Sequence, residues 1–166
     1  GMFLKKVCSD FAEICSIKND SEVAQRLRAH SEKLSRAVDG NAFNGKWYTR
    51  AFYDDGEVLG DEGSGACEID LLCQSWSSLA DMPDKKRVKS ALMQAYERLF
   101  DKETGVVKLF SPPFNEKSKL TGYVNRYPEG MRENGGQYTH GAVWLAKALL
   151  MTGDCQRGYK ILRAIH

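Results

Sequence analysis

The sequence has almost no excess charge of either sign: 24 Lys and Arg stand against 22 Asp and Glu, a formal net of +2 over 166 residues. The basic residues are interleaved with acids rather than pooled, which removes the electrostatic footprint of a nucleic-acid or membrane surface. No apolar run approaches the roughly 18 residues that span a bilayer, and no charged-then-apolar leader opens the chain. Cysteine is present without rhythm. Cys8, Cys15, Cys67, Cys73 and Cys155 are odd in number and contain no CxxC pair, so no metal site is expected. Buried, reduced thiols acting as small hydrophobes account for them. Gly1-Met2 reads as a start methionine behind a cloning scar. These absences predict a soluble, cytoplasmic globular piece, one domain over residues 1–166, with 42% hydrophobic residues to build a core.

What is present is mostly helical spacing. Phe3, Leu4, Val7, Phe11, Ile14 and Cys15 recur at steps of three and four, the stripe of an amphipathic helix. Asn19-Asp20-Ser21 offers capping oxygens to a second helix striped by Val23, Leu27, Leu34 and Val38 and ended at Gly40. His30 lies on that stripe and reads as a core or boundary residue. A third helix carries Ile69, Leu72, Cys73, Trp76 and Leu79, and a fourth carries Val88, Leu92, Tyr96 and Leu99 behind a cap at Asp84. From residue 137 to 152 the chain is apolar on nearly every side, which predicts a helix with neighbours all round. Gly153-Asp154 stops it and caps a sixth, with Tyr159, Leu162 and Ile165.

Two long aromatic stretches interrupt the helices, at residues 41–68 and 101–136. The first holds an extended segment over 46–53, and the second holds a strand over 106–110 broken by Ser111-Pro112-Pro113. Long connections inside a compact domain tend to be functional. Six helices paired by short turns, with such loops between the pairs, make the fold class all-α and suit an α/α toroid whose loops build a site at one end.

Two constellations concentrate chemistry. In Trp47-Tyr48-Thr49-Arg50-Ala51-Phe52-Tyr53-Asp54-Asp55-Gly56, an acid placed in an apolar wall would have a raised pKa and could donate a proton. An Asp-Asp-Gly turn with solvated carboxylates fits the same residues. The second runs from Tyr127 to His140 and enters the fifth helix. Gly135-Gly136 would let backbone approach a ligand, and the helix start with Arg132 and His140 suits an anion such as phosphate. A polar helix cap is the competing reading. Between them, Glu68, Asp70 and Gln74 sit where hydroxyl-binding groups or simple dipole-stabilising residues would sit.

Together these stretches resemble the glycoside phosphorylases that include the cellobiose, chitobiose and 1,2-β-oligoglucan phosphorylases, and the matching end of cyclic β-1,2-glucan synthases. The first block carries the resemblance, with Glu68-Ile69-Asp70, Gln74-Ser75-Trp76, Ser111-Pro112-Pro113-Phe114, Gly122-Tyr123, Tyr127-Pro128-Glu129-Gly130 and Arg132-Glu133-Asn134-Gly135-Gly136-Gln137-Tyr138-Thr139-His140. Order and spacing hold over about residues 40–165. The resemblance implies an (α/α)6 barrel, of which this chain would cover roughly half. It also implies phosphorolysis of a β-glucosidic bond with inversion, giving an α-sugar 1-phosphate, with inorganic phosphate as co-substrate and no cofactor. Phosphate is itself the nucleophile, so one protonated acid suffices, unlike the two carboxylates of an inverting hydrolase.

By motif, the acid falls at Asp54 or Asp55. In the cellobiose and chitobiose enzymes the catalytic Asp follows the Arg-Ala-aromatic triplet at once, a slot that is Tyr53 here, so Asp54 is the nearer of the two. His140 matches the phosphate-binding histidine. Glu133 and Gln137 match the block near the reacting sugar, and Trp47, Arg50 and Gln74 are further sugar-site candidates. The family continues into further barrel helices and has a preceding β-sandwich, so this chain is expected to be a fragment, inactive alone, that either self-associates or joins a missing complementary barrel segment. The alternatives are a non-catalytic carbohydrate-binding or helical interaction module, and an α-toroid glycoside hydrolase that uses water.

Overall fold

The computed structural model describes residues 1–119 and 121–166. Its described residues form six α-helices, four two-residue strands and one 3-10 turn: α1 (Met2–Ile17), α2 (Ser21–Asn41), β1 (Ala51–Phe52), β2 (Val58–Leu59), β3 (Ile69–Asp70), α3 (Leu71–Leu79), α4 (Lys85–Leu99), β4 (Phe110–Ser111), the 3-10 turn Gly122–Arg126, α5 (Thr139–Met151) and α6 (Cys155–Ala164). The mostly helical expectation holds. Three predicted caps also hold, because each aspartate accepts from amides that the first turn leaves without partners. Asp20 takes Val23 N–H, Asp84 takes Lys86 and Arg87 N–H, and Asp154 takes Arg157 N–H.

Helices joined by short turns pair, α1 on α2, α3 on α4 and α5 on α6, and α5 also packs on α3 across the second long loop. The main core joins α3, α4 and α5 around Leu71, Leu92, Leu99, Leu145 and Leu149, with Trp47 and Tyr48 inserted from the first long loop. A second cluster of Leu59, Cys67, Leu109, Phe110 and Phe114 lies under the loops. Two antiparallel pairs stitch those loops together. Ala51 faces Leu59 and Phe52 faces Val58 in the β1–β2 hairpin, while Ile69 faces Ser111 and Asp70 faces Phe110 across β3–β4. The β3–β4 pair brings the second long loop onto the start of α3.

Three expectations about packing are corrected. The large residues of the apolar stripe of α1 do not face the core, although Met2 at its start does: Phe3 is 62% exposed, Phe11 52% and Ile14 51%. Its other buried residues are Cys8, Ala12 and Cys15, those of α2 are Ala24, Ser31 and Ser35, and the Ser9 and Ser31 hydroxyls lie 2.8 Å apart. Small side chains on both helices let the backbones approach, so the contact is made by the small face rather than the greasy one. For the same reason Val23, Leu27, Leu34 and Val38 are only half-buried, and His30 is exposed. Helix α5 is likewise open on one side: Ala142, Leu145, Ala146 and Leu149 are buried against α3 and α6, but Val143 and Leu150 are exposed. Its near-uniform hydrophobicity exceeds the neighbours it has.

Candidate active site

The functional candidates fall on three pieces of backbone: the segment leading into β1, the N-terminus of α3, and the turn that runs into α5. A cavity of about 380 Å³ lies where they meet, lined by Arg50, Leu72, Phe110, Tyr123, Glu133, Tyr138 and His140 among others. Apolar walls with a few convergent polar groups are the usual form of a small-molecule site. A more open cleft of about 560 Å³, between residues 114–117 and 125–129, is lined by Tyr127, Pro128 and Glu129 of the second constellation but by none of the residues given a site role from sequence.

Arg50 enters this cavity from a fixed backbone. Its N–H donates to Leu59 O at 2.8 Å, and its guanidinium donates to Asp70 while lying 5.9 Å from the centre of the Phe110 ring. Asp70 is 1% exposed, and its other carboxylate oxygen accepts from Leu72 N–H at 2.8 Å and Cys73 N–H at 3.2 Å, capping α3. One buried carboxylate therefore anchors both a helix and an arginine. Sequence spacing left Asp70 open between a hydroxyl-binding group and a dipole-stabilising first-turn carboxylate, because its partner Arg50 lies twenty residues away in the chain.

Glu133 and His140 reach the cavity from the other side. Glu133 Oε2 is buried without a hydrogen-bond partner among the described residues, its nearest cation being Arg132 Nε at 3.6 Å. Its own backbone amide, with help from the Tyr138 hydroxyl and the Arg132 charge, holds the carboxyl below the ordinary glutamate range. Desolvation, then the neighbouring Glu133 carboxylate, pushes the Tyr138 hydroxyl up. His140 lies in the first turn of α5, edge-on to Tyr138 at 5.6 Å and to Trp144 at 4.9 Å, and Trp144 in turn meets Trp76 of α3 at 5.3 Å. The imidazole is exposed but held by rings on both sides.

Asp54 and Asp55 stand at the tip of the β1–β2 hairpin, where Tyr53 N–H donates to Glu57 O and Gly56 N–H to Tyr53 O. Both carboxylates are exposed. Asp55 accepts from Lys119 Nζ at 2.6 Å, and the same ammonium reaches Glu57 at 2.7 Å and lies 4.1 Å from the centre of the Tyr53 ring. That hydrogen bond, aided by the Glu57 amide, lowers the Asp55 pKa. This is opposite in sign to the raised pKa of an acid in an apolar wall. The hairpin borders the cavity through Leu59, and neither Asp54 nor Asp55 lines it; Tyr53 packs with Val124 and Tyr138 against the Leu59, Phe110 and Phe114 cluster.

The remaining candidates serve the scaffold. Trp47 is fully buried and its indole N–H is shared by Gly60 O at 2.9 Å and Glu68 O at 3.1 Å. Gln74 is fully buried; its Oε1 accepts from Tyr48 N–H, and its Nε2 donates to Tyr48 O and Asp70 O, all at 2.9 Å. Gln137 Oε1 accepts from Val107 N–H at 2.6 Å, tying the strand-like stretch before β4 to the start of α5. None of the three lines the 380 Å³ cavity. Gly136 does not open backbone to a ligand either: a Cβ there would lie 2.8 Å from Arg132 O, so the residue is needed to close its own turn. Asn134, part of the motif but given no role of its own from sequence, clasps that turn by bonding Phe114 N–H and O and Tyr127 O from a fully buried position.

Among the described residues no cluster of His, Cys, Asp and Glu is placed to hold a metal ion, and no helix is long and apolar enough to cross a membrane. Comparison with protein families matches residues 1–166 to the glycosyl hydrolase 94 superfamily, catalytic domain. The chain belongs to this family. Within it, the chain is 34% identical over its full length to the cyclic beta-(1,2)-glucan synthase NdvB of Rhizobium meliloti (strain 1021), covering 6% of that protein. It is 30% identical over 139 residues to the solabiose phosphorylase of Paenibacillus borealis, which is 84% of this chain and 17% of the relative. It is 26% identical over 148 residues to the N,N'-diacetylchitobiose phosphorylase of Vibrio furnissii, 87% of this chain and 18% of the relative. The chain thus spans less than a fifth of the length of each of these relatives.

Proposed function

We propose that this chain is part of the catalytic domain of an inverting glycoside phosphorylase. It would cleave a β-linked glucoside or β-glucan with inorganic phosphate and release an α-sugar 1-phosphate. The observation that supports this most is the convergence of Arg50, Glu133, Tyr138 and His140 on one cavity, in a chain matched along its whole length by a family of catalytic domains. In this reading a phosphate oxygen attacks the anomeric carbon as the glycosidic C–O bond breaks, and the departing oxygen takes a proton from the acid. Asp54 is the acid. Asp55 is held as a carboxylate by Lys119, which removes the proton it would have to give.

The imidazole of His140, presented beside the N-terminal amides of α5, takes the phosphate. Glu133, with a buried oxygen that has no partner among the described residues, and Arg50 take sugar hydroxyls and face the positive charge that develops on the ring. The six helices form about half of an (α/α)6 barrel. The exposed apolar faces of α1 and α5 are the edges that a complementary barrel segment, or in its absence a second copy, would cover. The isolated chain binds ligand and does not turn it over.

Ligand-observed NMR with a panel of β-linked glucose disaccharides, with and without phosphate, tests the reading. Saturation transfer to one linkage, strengthened by phosphate and lost in Asp54→Asn or His140→Ala, is the expected result. No transfer from a folded sample refutes it, and release of free sugar without phosphate would point to a hydrolase instead.

A further inference from the structure

We infer that Asp70 is a positioning residue that converts Arg50 from a free cation into an oriented, charge-compensated donor to the sugar, leaving the anion to His140. This rests on the reading of the cavity given above. The geometry has three parts. Asp70 is buried, and its two carboxylate oxygens are divided between jobs: one caps α3 through Leu72 and Cys73 N–H, and the other accepts from the Arg50 guanidinium. The backbones carrying both residues are clamped to each other by the Gln74 amide, which bonds Tyr48 N–H, Tyr48 O and Asp70 O. Finally, Arg50 lines the cavity that Glu133 and His140 also line, and Asp70 is the one side-chain acceptor it uses among the described residues.

A guanidinium has five N–H donors in a rigid fork. With one side of the fork held by a buried carboxylate, the remaining donors keep one orientation, and a ligand that meets them loses less side-chain freedom. The carboxylate also cancels most of the positive charge. An arginine so neutralised is a poor phosphate site and a good partner for a hydroxyl. Across the cavity, His140 stands at the start of α5, where an anion is favoured. The pocket thereby separates its two ligands by charge.

Asp70→Asn tests this cleanly. Asparagine is as good an N-cap as aspartate, so α3 keeps its cap while Arg50 loses its counter-charge. The affinity for the disaccharide is expected to fall about two- to tenfold, the range for losing one pre-ordered side chain. The affinity for inorganic phosphate, followed by 31P NMR titration, is expected to rise because an unpaired guanidinium is released into the cavity. The Arg50 Nε–Hε resonance should move toward the position of a free arginine. Arg50→Lys, which keeps the charge and loses the fork, should weaken sugar binding without weakening phosphate binding.

A structural role alone would lower both affinities together with the folded fraction, and that result overturns the proposal. So does an unchanged Arg50 resonance in Asp70→Asn. Should Asp70→Asn fail to fold, Arg50→Lys decides: unaltered sugar affinity there refutes the role of the fork. A wild-type chain that binds neither ligand refutes the reading of the cavity, whereas a shifted Arg50 resonance in the same sample would still support the hold of Asp70 on Arg50.

Discussion

Replacing Gln74 with leucine separates two accounts of that residue. By resemblance it is a candidate for the sugar site; in the structure it is an internal clamp with no face on the cavity. Its amide is the partner of both the N–H and the C=O of Tyr48, a residue that is itself fully buried. Asp70 O, the third partner, retains its place as an acceptor in the first turn of α3. Leucine matches glutamine closely in volume, so the cavity term is small and the cost comes from two backbone groups left without partners. At about 1–3 kcal/mol for each unsatisfied buried group, the loss is about 2–6 kcal/mol. For a domain near this size, 1 kcal/mol corresponds to about 2–4 °C in Tm, so a fall of at least about 4 °C is expected. Urea denaturation followed by helical circular dichroism measures it, with the midpoint lowered and the slope unchanged. A loss below about 1 kcal/mol, accompanied by loss of disaccharide binding, would refute the clamp and return Gln74 to the site.

Asp84→Ala removes the acceptor for Lys86 and Arg87 N–H and should cost about 1 kcal/mol, seen as a lower thermal midpoint with α4 still formed. Burial pushes the Cys67 thiol up to about 12 and the Cys73 thiol up to about 11, while Cys155 is exposed. At pH 8 a thiol reagent should therefore react quickly with one cysteine of the folded chain and with five after denaturation; fast labelling that persists in Cys155→Ser would contradict this. Lys119→Ala should raise the Asp55 pKa toward the ordinary aspartate value, followed by 13C NMR titration of its carboxyl. The folded pKa lies below the unfolded one, so the contribution of this ion pair is present at neutral pH and disappears as pH falls through the folded value. An Asp55 titration unmoved by the substitution would show that Lys119 does not hold it.

Much of the helical framework was legible because capping and periodicity are local. Asp20, Asp84 and Asp154 act within three residues of themselves, and each predicted cap is where spacing placed it. The packing of those helices was not legible to the same degree. The stripe of Phe3, Leu4, Val7, Phe11 and Ile14 was recognised correctly as apolar, but periodicity cannot say what lies opposite it. The residues buried along α1 and α2 include Cys8, Ala12, Cys15, Ala24, Ser31 and Ser35, too small to dominate a hydrophobic pattern. In the candidate site, motif matching found Arg50, Glu133 and His140, which do share a cavity, and also Trp47, Gln74 and Gln137, whose polar atoms bond the scaffold.

The sequence by itself determined the helical class, the capped starts of α2, α4 and α6, and the family to which the loops belong; Ile69, read as part of the third helix, lies instead in β3. Those properties are encoded in runs of neighbouring residues, where spacing and side-chain type are sufficient. Only the tertiary structure decided which polar residues bind the scaffold and which are left to meet a ligand. That distinction depends on partners far apart in the chain: Arg50 with Asp70, Gln74 with Tyr48, Lys119 with Asp55. A glutamine whose hydrogen bonds are all made inside the fold and a glutamate with a buried oxygen still unpaired look alike in a motif. They differ once burial removes water as the partner that both would otherwise have.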